Sequence, residues 1–365
     1  EGKTEFEGEI TLTEHGIYKA TVTTIDNAQG QNTSTRQYII KIDKKGPQIK
    51  LSPDGNSEYA KQHKVKVEIS EPETESGVQE EKTKYVWVGY DPEKIETKEE
   101  MVNKIKQYVE EKIKENTEDK NTEEKANTEN EEGTKEETPT QKQITKEEYI
   151  KMLLKEEAIK ELEQQGIYVE EGKVEEGTIA TPEGKTGIYH LIVYGEDKLG
   201  NSTMIISEMY KIDNENPSKP EIEGSKKQIV GTKEEEVRYN GERTNKEVTV
   251  TAKNSKSQSG VDKYEVSYTK DEGKTWSNWE DATVKEDQKG EIQGKITIKD
   301  EGKTVVKFRS IAKLLDVTEE GKEAKEVELI SEETEEYVVI IDKEGPKVTY
   351  ENTENGENGS KESIE

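Results

Sequence analysis

The sequence predicts a mainly β chain of tandem β-sandwich modules, with a helical, partly disordered insertion in the second module. Three observations lead to this fold class. The same strand ending recurs three times, β-hairpin patterns precede its first two copies, and the strand pattern stops over one long stretch rich in Glu, Lys, Asn and Thr. Internal similarity of this kind is the signature of repeated modules.

The repeated ending is Ile-Asp-x-x-x-Pro, found at 42–47, 212–217 and 341–346 after runs of β-forming residues. Proline cannot donate a hydrogen bond to a β-ladder, so each copy marks the end of a module. The predicted modules are the C-terminal part of one module at 1–44, a module with the insertion at 45–213, a module at 214–343, and the start of a further module or a disordered tail at 344–365.

Strand pairs are predicted upstream of the first two endings. Gly-Ile-Tyr at 16–18 and at 187–189 opens an alternating run that ends at Asp26 or Asp197, and a short turn containing glycine follows. Alternation, then a turn with Asp and Gly, then a second alternating run indicates a β-hairpin. The third copy alternates at 305–311, but its turn near Asp316 is degenerate. A Ser-Gly-Val triplet at 76–78 and 259–261 precedes an aromatic β run in both longer modules.

The insertion covers roughly 94–166, where strand residues vanish. Apolar residues between Met101 and Ile113 fall at helical spacing and predict one amphipathic helix. A second helix is predicted to begin at Thr145, whose spacing to Glu148 suits a capping box, and to stop at Gly166. We expect disorder over 116–143, which has too little apolar area to offset the entropy of ordering. The helices either pack against each other and the sandwich or present an apolar face to a partner.

The formal net charge of −28 limits the partners that the chain can bind. A field of this sign repels phosphate backbones and anionic lipid surfaces, so we expect no nucleic-acid partner. No apolar run reaches the length of a membrane span, and the lack of cysteine excludes disulfides and thiolate metal sites. Because the chain starts at Glu1, within a module, we expect it to be a fragment of a longer exported precursor.

The combination Gly-Ile-Tyr, Asp-x-x-Gly-Asn and Ile-Asp-x-x-x-Pro resembles the bacterial immunoglobulin-like repeats of large exported proteins, especially of Gram-positive organisms. The resemblance leaves out the insertion and is weakest in the third copy. It implies tandem immunoglobulin-like sandwiches that are extracellular, secreted or attached to the cell wall or surface. That family has no shared catalytic residues, so the resemblance implies a spacer or adhesive role.

One segment is a candidate for glycan binding. The run 269–276 resembles the Asp-box hairpin of carbohydrate-active proteins, in which Asp271 and Gly273 would set the turn and Trp276 would pack against it. Together with Trp279 it would offer an aromatic surface to a sugar ring. The favoured alternative is a plain β-turn.

Five aspartates in turns or at module ends are candidate calcium ligands, because calcium binds hard oxygen ligands. They are Asp26, Asp43, Asp197, Asp213 and Asp342. The favoured alternative is that they cap local backbone groups, as Asp often does in turns, since no dense calcium-loop spacing is present. His15, His63 and His190 show no metal-binding spacing and are expected to be structural or at the surface.

The leading functional hypothesis is a non-catalytic structural or adhesive repeat region of an exported bacterial surface protein. The alternative is an accessory glycan-binding part of a larger carbohydrate-active enzyme, based on Asp271 to Trp279. Enzymatic activity of the chain itself has only abundant acidic residues behind it, so none is predicted. The expected partners are extracellular or cell-surface glycans or proteins, and calcium is the one candidate cofactor.

Overall fold

The computed structural model describes residues 8–27, 29–72, 75–126, 144–285 and 291–347. The fold is mainly β, with 48% of the residues in strands and 12% in helices. The strands form several sheets, which is consistent with a β-sandwich. The chain divides into two compact units. The first comprises Glu1–Asn216, Lys256–Gly260 and Ala312–Leu329, and the second comprises Pro217–Ser255, Val261–Ile311 and Ile330–Glu365. The division into four segments inferred from the sequence stays a prediction.

Strands and helices are numbered in chain order. The strands are β1 Gly16–Ile25, β2 Thr33–Ile42, β3 Gln48–Ser52, β4 Asn56–Ser70, β5 Lys84–Tyr90, β6 Ile167–Glu171, β7 Val174–Glu175, β8 Thr178–Ala180, β9 Gly187–Glu196, β10 Ser202–Ile206, β11 Tyr210–Ile212, β12 Glu221–Val230, β13 Lys233–Arg238, β14 Val248–Lys253, β15 Lys263–Thr269, β16 Glu280–Asp281, β17 Thr283–Lys285, β18 Ile292–Ile298, β19 Gly302–Thr318, β20 Glu326–Ile330 and β21 Tyr337–Ile341. The helices are α1 Lys98–Ala126, α2 Lys146–Leu153 and α3 Glu156–Gln164.

Both predicted hairpins are confirmed. Strand β1 pairs antiparallel with β2, and β9 pairs antiparallel with β10. The pairing at the start of the strands corresponds as well, because Gly16 lies opposite Ile42 and Gly187 lies opposite Ile212 of β11. The two glycines and the two isoleucines hold equivalent places in the repeated sequence. The second return strand differs in being divided into β10 and β11, with the register shifted by one residue between them.

The sheet of the first unit is buried on both faces around β5 and β9, which pair with each other. Side chains alternate between the faces of a strand, so Trp87 enters one core cluster while Val86 and Val88 enter another. The Trp87 cluster includes Leu191, Val193, Tyr210 and Ile212. Burial on both faces explains why β9 is almost continuously apolar.

Helices of the insertion cover the other face of this sheet. Met101, Ile105 and Leu162 are buried in one cluster with Val86 and Val88, as the first packing alternative predicted. The capping box at the start of α2 is present, since the Thr145 Oγ1 accepts the Glu148 N–H and Glu148 accepts the Thr145 N–H. A stop at Gly166 is also found, where φ is +80°.

Two details of the insertion differ from prediction. The second helix is broken after Leu153, and the break lets both α2 and α3 bury apolar side chains in the core. The backbone of α1 continues as helix through 116–126, within the range 116–143 for which disorder is predicted. Residues 127–143 lie outside the described part of the chain.

The second unit has two sheets with a core between them. One sheet has the order β13-β12-β14-β18-β17, and in the other β15 pairs with β16 and β19, which also pairs with β21. Val250, Tyr264, Phe308 and Val339 are among the side chains of this core. Within the described residues, no helix is long and apolar enough to cross a membrane.

Candidate functional site at the strand-end aspartates

The aspartate of the first Ile-Asp-x-x-x-Pro ending binds two backbone N–H groups. Asp43 Oδ1 accepts the N–H of Lys45 at 3.2 Å, and Oδ2 accepts the N–H of Ser76 at 3.0 Å. Ser76 opens the Ser-Gly-Val triplet that lies downstream. A strand end is thereby joined to a loop 33 residues away.

The second ending repeats this arrangement. Asp213 Oδ1 accepts the N–H of Glu215 at 3.2 Å, and Oδ2 accepts the N–H of Ser259 at 2.9 Å. We call the two arrangements the Asp43 clasp and the Asp213 clasp; all their residues belong to the first unit. Both motifs can be recognised in the sequence. Their contact cannot, because the aspartate and the serine lie 33 residues apart in the first clasp and 46 in the second.

The clasps differ in how the carboxylate is satisfied. Asp213 is fully buried, and its Oδ2 also accepts the hydroxyls of Ser257 at 2.8 Å and Ser259 at 2.7 Å. The Thr186 hydroxyl donates to Oδ1 at 3.4 Å. Neutral hydroxyl donors therefore surround this buried charge, which makes its burial tolerable.

Acidic groups surround the Asp43 clasp instead. Carboxylate oxygens of Asp43, Glu71 and Asp197 lie within 4.8 Å of one another, and so do ligand atoms of His15, Asp43 and Glu75. The Asp43 side chain is 7% exposed and Asp197 is fully buried. Asp43 and Asp197 are among the calcium candidates predicted from the sequence, whereas Glu71 belongs to no motif and was not predicted.

Asp197 also holds the turn of its hairpin. Its Oδ1 accepts the N–H groups of Leu199 and Asn201 at 2.9 and 2.7 Å, and Oδ2 accepts the Asn201 side-chain amide at 2.7 Å. Asp26 makes the matching pair of bonds to Asn32, at 2.9 and 2.8 Å. Capping of local backbone groups is thus observed at both turns.

Burial and hydrogen bonding act in opposite directions on the three carboxyl groups. Burial would raise the pKa of Asp43 and of Asp197, but hydrogen bonds outweigh it and hold both pKa values below the usual range. For Glu71, burial dominates and raises the pKa; the charges of Asp197 and Asp43 add to the increase. Glu71 is therefore the carboxyl group whose charge is poorly accommodated.

A small cleft borders the Asp43 clasp. It has a volume of about 120 Å³ and is lined by His15, Asp43, Glu75, Ser76 and Leu199, among others. The His15 ring lies between two acids, with Nδ1 3.4 Å from Asp43 Oδ1 and Nε2 3.6 Å from Glu75 Oε1. The cleft therefore brings solvent to the edge of the Asp43 clasp.

The remaining calcium candidates lie apart from this group. Asp342 contacts Arg243, with Nη1 3.3 Å from Oδ2, and its side chain is 40% exposed. Among the five selected aspartates, only Asp43 and Asp197 join a group of converging ligands within the described residues. Asp26 serves its own turn, and Asp213 is satisfied by the hydroxyls of its clasp.

The glycan candidate forms a tight turn. Asp271 accepts the Thr269 hydroxyl at 2.7 Å and the Thr275 N–H at 2.9 Å, and Gly273 has φ of +86°. Bonds from the side chain and backbone of Thr275, with the Thr269 hydroxyl, lower the pKa of Asp271 to about 2. These contacts are those of a well-formed turn.

Each tryptophan of this segment carries a cation on one face. Lys307 Nζ lies 4.5 Å from the centre of the Trp276 ring, and Arg309 Cζ lies 4.4 Å from that of Trp279. Arg309 donates to Glu265 from Nε and Nη2 at 2.9 and 2.7 Å. Burial would raise the pKa of Glu265, but hydrogen bonds from Lys263 and Arg309 hold it below the usual range. One face of each ring is thus occupied.

The two buried histidines are held by neighbouring groups. His63 Nδ1 contacts the Thr318 hydroxyl and Nε2 lies 3.0 Å from the Lys211 carbonyl oxygen, while His190 Nδ1 lies 3.0 Å from the Ser207 carbonyl oxygen. Burial lowers the pKa of both imidazoles. Both rings therefore favour the neutral form, which suits a place in the interior.

A serine contact was missed in the sequence. The N–H of Leu191 donates to Ser207 Oγ at 2.7 Å and the N–H of Ser207 donates back to the Leu191 carbonyl at 2.9 Å. Ser310 and Ser331 form the same two bonds, at 2.8 and 3.0 Å. The available signal was Ile-Ser-Glu, which occurs at 206–208 and at 330–332. This contact makes the position of Leu191 in β9 equivalent to that of Ser310 in β19.

A tyrosine contact also recurs in the Gly-Ile-Tyr strands. The Tyr18 hydroxyl donates to the Glu14 carbonyl at 2.9 Å, and the Tyr189 hydroxyl donates to the Lys185 carbonyl at 3.3 Å. In both cases the acceptor lies four residues earlier.

No known protein-family model matches the chain, and no curated protein matches it. Function must therefore be inferred from these residues and their geometry.

Proposed function

We propose that the chain is a non-catalytic structural or adhesive repeat region of an exported bacterial surface protein. The aspartate clasp carries the proposal. Asp43 and Asp213 end equivalent strands, and each binds the N–H two residues on and the N–H of a serine in the following Ser-Gly-Val triplet. A contact built twice from the same residue types, at different spacings, is expected of successive copies of one module.

An immunoglobulin-like identity for the module is supported by two further contacts. A tyrosine near the start of a strand that bonds a carbonyl shortly upstream is a feature of immunoglobulin-type sandwiches, and Tyr18 and Tyr189 both do so. A buried tryptophan in a neighbouring strand is another, and Trp87 is 1% exposed and packs edge-on against Tyr210 with ring centres 5.5 Å apart.

The role proposed for the clasps is mechanical. Each clasp ties the end of a strand to a loop that follows it in the chain, so the last strand of one copy is held by hydrogen bonds to later residues. The high negative charge keeps such a surface protein soluble. These properties suit a spacer or adhesive array outside the cell.

Surface location is the most direct test. An antibody raised against the full chain should label intact cells of the bacterium that encodes it, and brief protease treatment of intact cells should remove the label. An antibody against a cytosolic protein, which should label only permeabilised cells, is the control. Labelling that requires permeabilisation would overturn the proposal.

Glycan binding as an accessory part of a carbohydrate-active enzyme is the weaker alternative. Its support is the pair Trp276 and Trp279 beside the Asp271 turn. Sugar rings stack on free aromatic faces, and each of these rings already carries a cation on one face. The Asp271 contacts are explained by the turn itself.

A further inference from the structure

We propose that the Asp43 clasp binds one calcium ion through the carboxylates of Asp43, Glu71 and Asp197, with the Ser76 hydroxyl as a further oxygen ligand. The three carboxylates come from separate segments, at the end of β2, just after β4 and just after β9. Their oxygens lie within 4.8 Å of one another. The site goes beyond the structural role proposed above, since an array of sandwiches does not require a metal.

Two buried atoms without hydrogen-bond partners belong to residues of this group. Within the described residues, four fully buried side-chain polar atoms have no hydrogen-bond partner, and Glu71 Oε1 and Ser76 Oγ are two of them. The backbone N–H of Ser76 donates to Asp43 Oδ2 at 3.0 Å, which holds this serine next to the Asp43 carboxylate. A buried oxygen without a donor is costly, and a bound cation would satisfy both atoms together.

Negative charge in the group is poorly balanced by protein cations. Among the described residues, no lysine or arginine forms a salt bridge with Glu71 or Asp197, and the one cationic group within salt-bridge distance of Asp43 is the imidazole of His15. The N–H of Gly77 donates to Glu71 Oε2 at 2.6 Å and leaves Oε1 unsatisfied. Like charges this close, away from water, repel strongly unless a counter-ion lies between them.

The ligand set favours calcium over other divalent ions. All four groups offer oxygen, which suits a hard cation, whereas structural zinc sites use sulfur and nitrogen. Calcium binds oxygens at about 2.4 Å, so a single ion can contact oxygens that lie up to about twice that distance apart. Magnesium needs about 2.1 Å in a near-ideal octahedron and gives up its water reluctantly, so protein side chains alone rarely enclose it. The adjoining cleft is lined by Asp43 and Ser76, two of the four proposed ligand residues.

The Asp213 clasp provides an internal comparison. Aligned on Ser-Gly-Val, Glu71 corresponds to Asn254 and Glu75 to Gln258, so amides replace both acids. The serine contacts that equate Leu191 with Ser310 place Asp316 in the position of Asp197, and Asp316 is exposed. In that clasp serine hydroxyls satisfy the aspartate instead. Calcium is therefore expected at the Asp43 clasp and not at its counterpart.

Calorimetry and thermal unfolding of the full chain test the proposal. The metal-free chain, in about 150 mM KCl to screen its surface charge, is titrated with CaCl₂ and separately with MgCl₂. One calcium site should appear, calcium should raise the Tm, and magnesium should bind at least about tenfold more weakly. Glu71→Gln should weaken calcium binding at least about tenfold and remove the calcium-dependent Tm increase.

Glu301→Gln is the matched control, because it removes the same charge at an exposed position outside the clasp and should bind calcium as the wild type does. Glu71→Gln should unfold at or above the Tm of the metal-free wild type, since it removes a repelled buried charge. Equal calcium binding by Glu71→Gln and the wild type would overturn the proposal. So would a wild-type Tm that calcium leaves unchanged, or that calcium and magnesium raise equally, and these two results need no variant.

Discussion

The hairpin of β1 and β2 and the hairpin that β9 opens share their sequence pattern and the pairing at the strand start but differ in burial. In both, glycine opens the strand opposite an isoleucine, a tyrosine hydroxyl bonds the carbonyl four residues earlier, and an aspartate binds an asparagine across the turn. Val22 and Val193 hold the same place, six residues after that glycine. Val22 is 51% exposed, whereas Val193 is fully buried.

The difference comes from what covers each strand. Insertion helices lie on one face of β9 and the Trp87 cluster lies on the other, so both of its faces are apolar and closed. Strand β2 exposes Tyr38 at 50% and Ile39 at 71%. Local hydrogen bonds therefore build the hairpin in either setting, while burial depends on segments far away in the chain.

The largest expected effect separates the hairpins by burial. Val193→Ala should lower the free energy of unfolding by about 2 to 3 kcal/mol, because two buried methyl groups are lost and a cavity remains. Val22→Ala should change it by less than about 0.5 kcal/mol, because this side chain is half exposed. Urea unfolding followed by tryptophan fluorescence measures both. Equal losses would mean that β1 is covered in solution and would remove the contrast.

An intermediate effect tests what the hairpins share. Tyr18→Phe and Tyr189→Phe should each destabilise their own hairpin by about 1 kcal/mol, since each removes one hydroxyl bond and keeps the ring. Native-state hydrogen exchange of the amides in β1 and β9 measures each local loss separately. A loss confined to Tyr189→Phe would show that the tyrosine contact needs burial to be stable.

The smallest effect concerns the exposed turn at Asp271. It tests whether local hydrogen bonds are enough to hold a turn that is not buried. Its carboxyl group should titrate with a pKa of about 2 in the folded chain, and Thr275→Ala should move it toward the ordinary value of about 3.9. Because the folded pKa lies below the unfolded one, the stabilisation is present above about pH 4 and is lost as the pH falls toward 2. NMR chemical shifts of the carboxyl group measure the pKa of Asp271 in the wild type and in Thr275→Ala. An ordinary pKa in the wild type would contradict the prediction.

Much of the local structure could be predicted from single segments. The capping box at Thr145 and the stop at Gly166 follow from residue types a few positions apart, as does the hairpin turn after Asp197. The break after Leu153 could not be predicted, because helical spacing continues across it and the break depends on how the helices meet the sheet.

The candidate site was found only in part. Asp43 and Asp197 are recognisable by their places in repeated motifs, and capping their own turns gives each of them a local role. Glu71 has no such role, and only folding brings it to them. The serines that satisfy Asp213 were equally hidden, because they lie more than 40 residues further along the chain.

The sequence by itself determined the strand pairs, their turns, the helix start and the repeated endings, because the hydrogen bonds that build them join residues close together in the chain. Tertiary structure alone decided which of two matching hairpins is buried, which faces of Trp276 and Trp279 carry cations, and which acids converge beside Ser76. Those outcomes depend on packing between distant segments, for which local side-chain patterns carry no distance information.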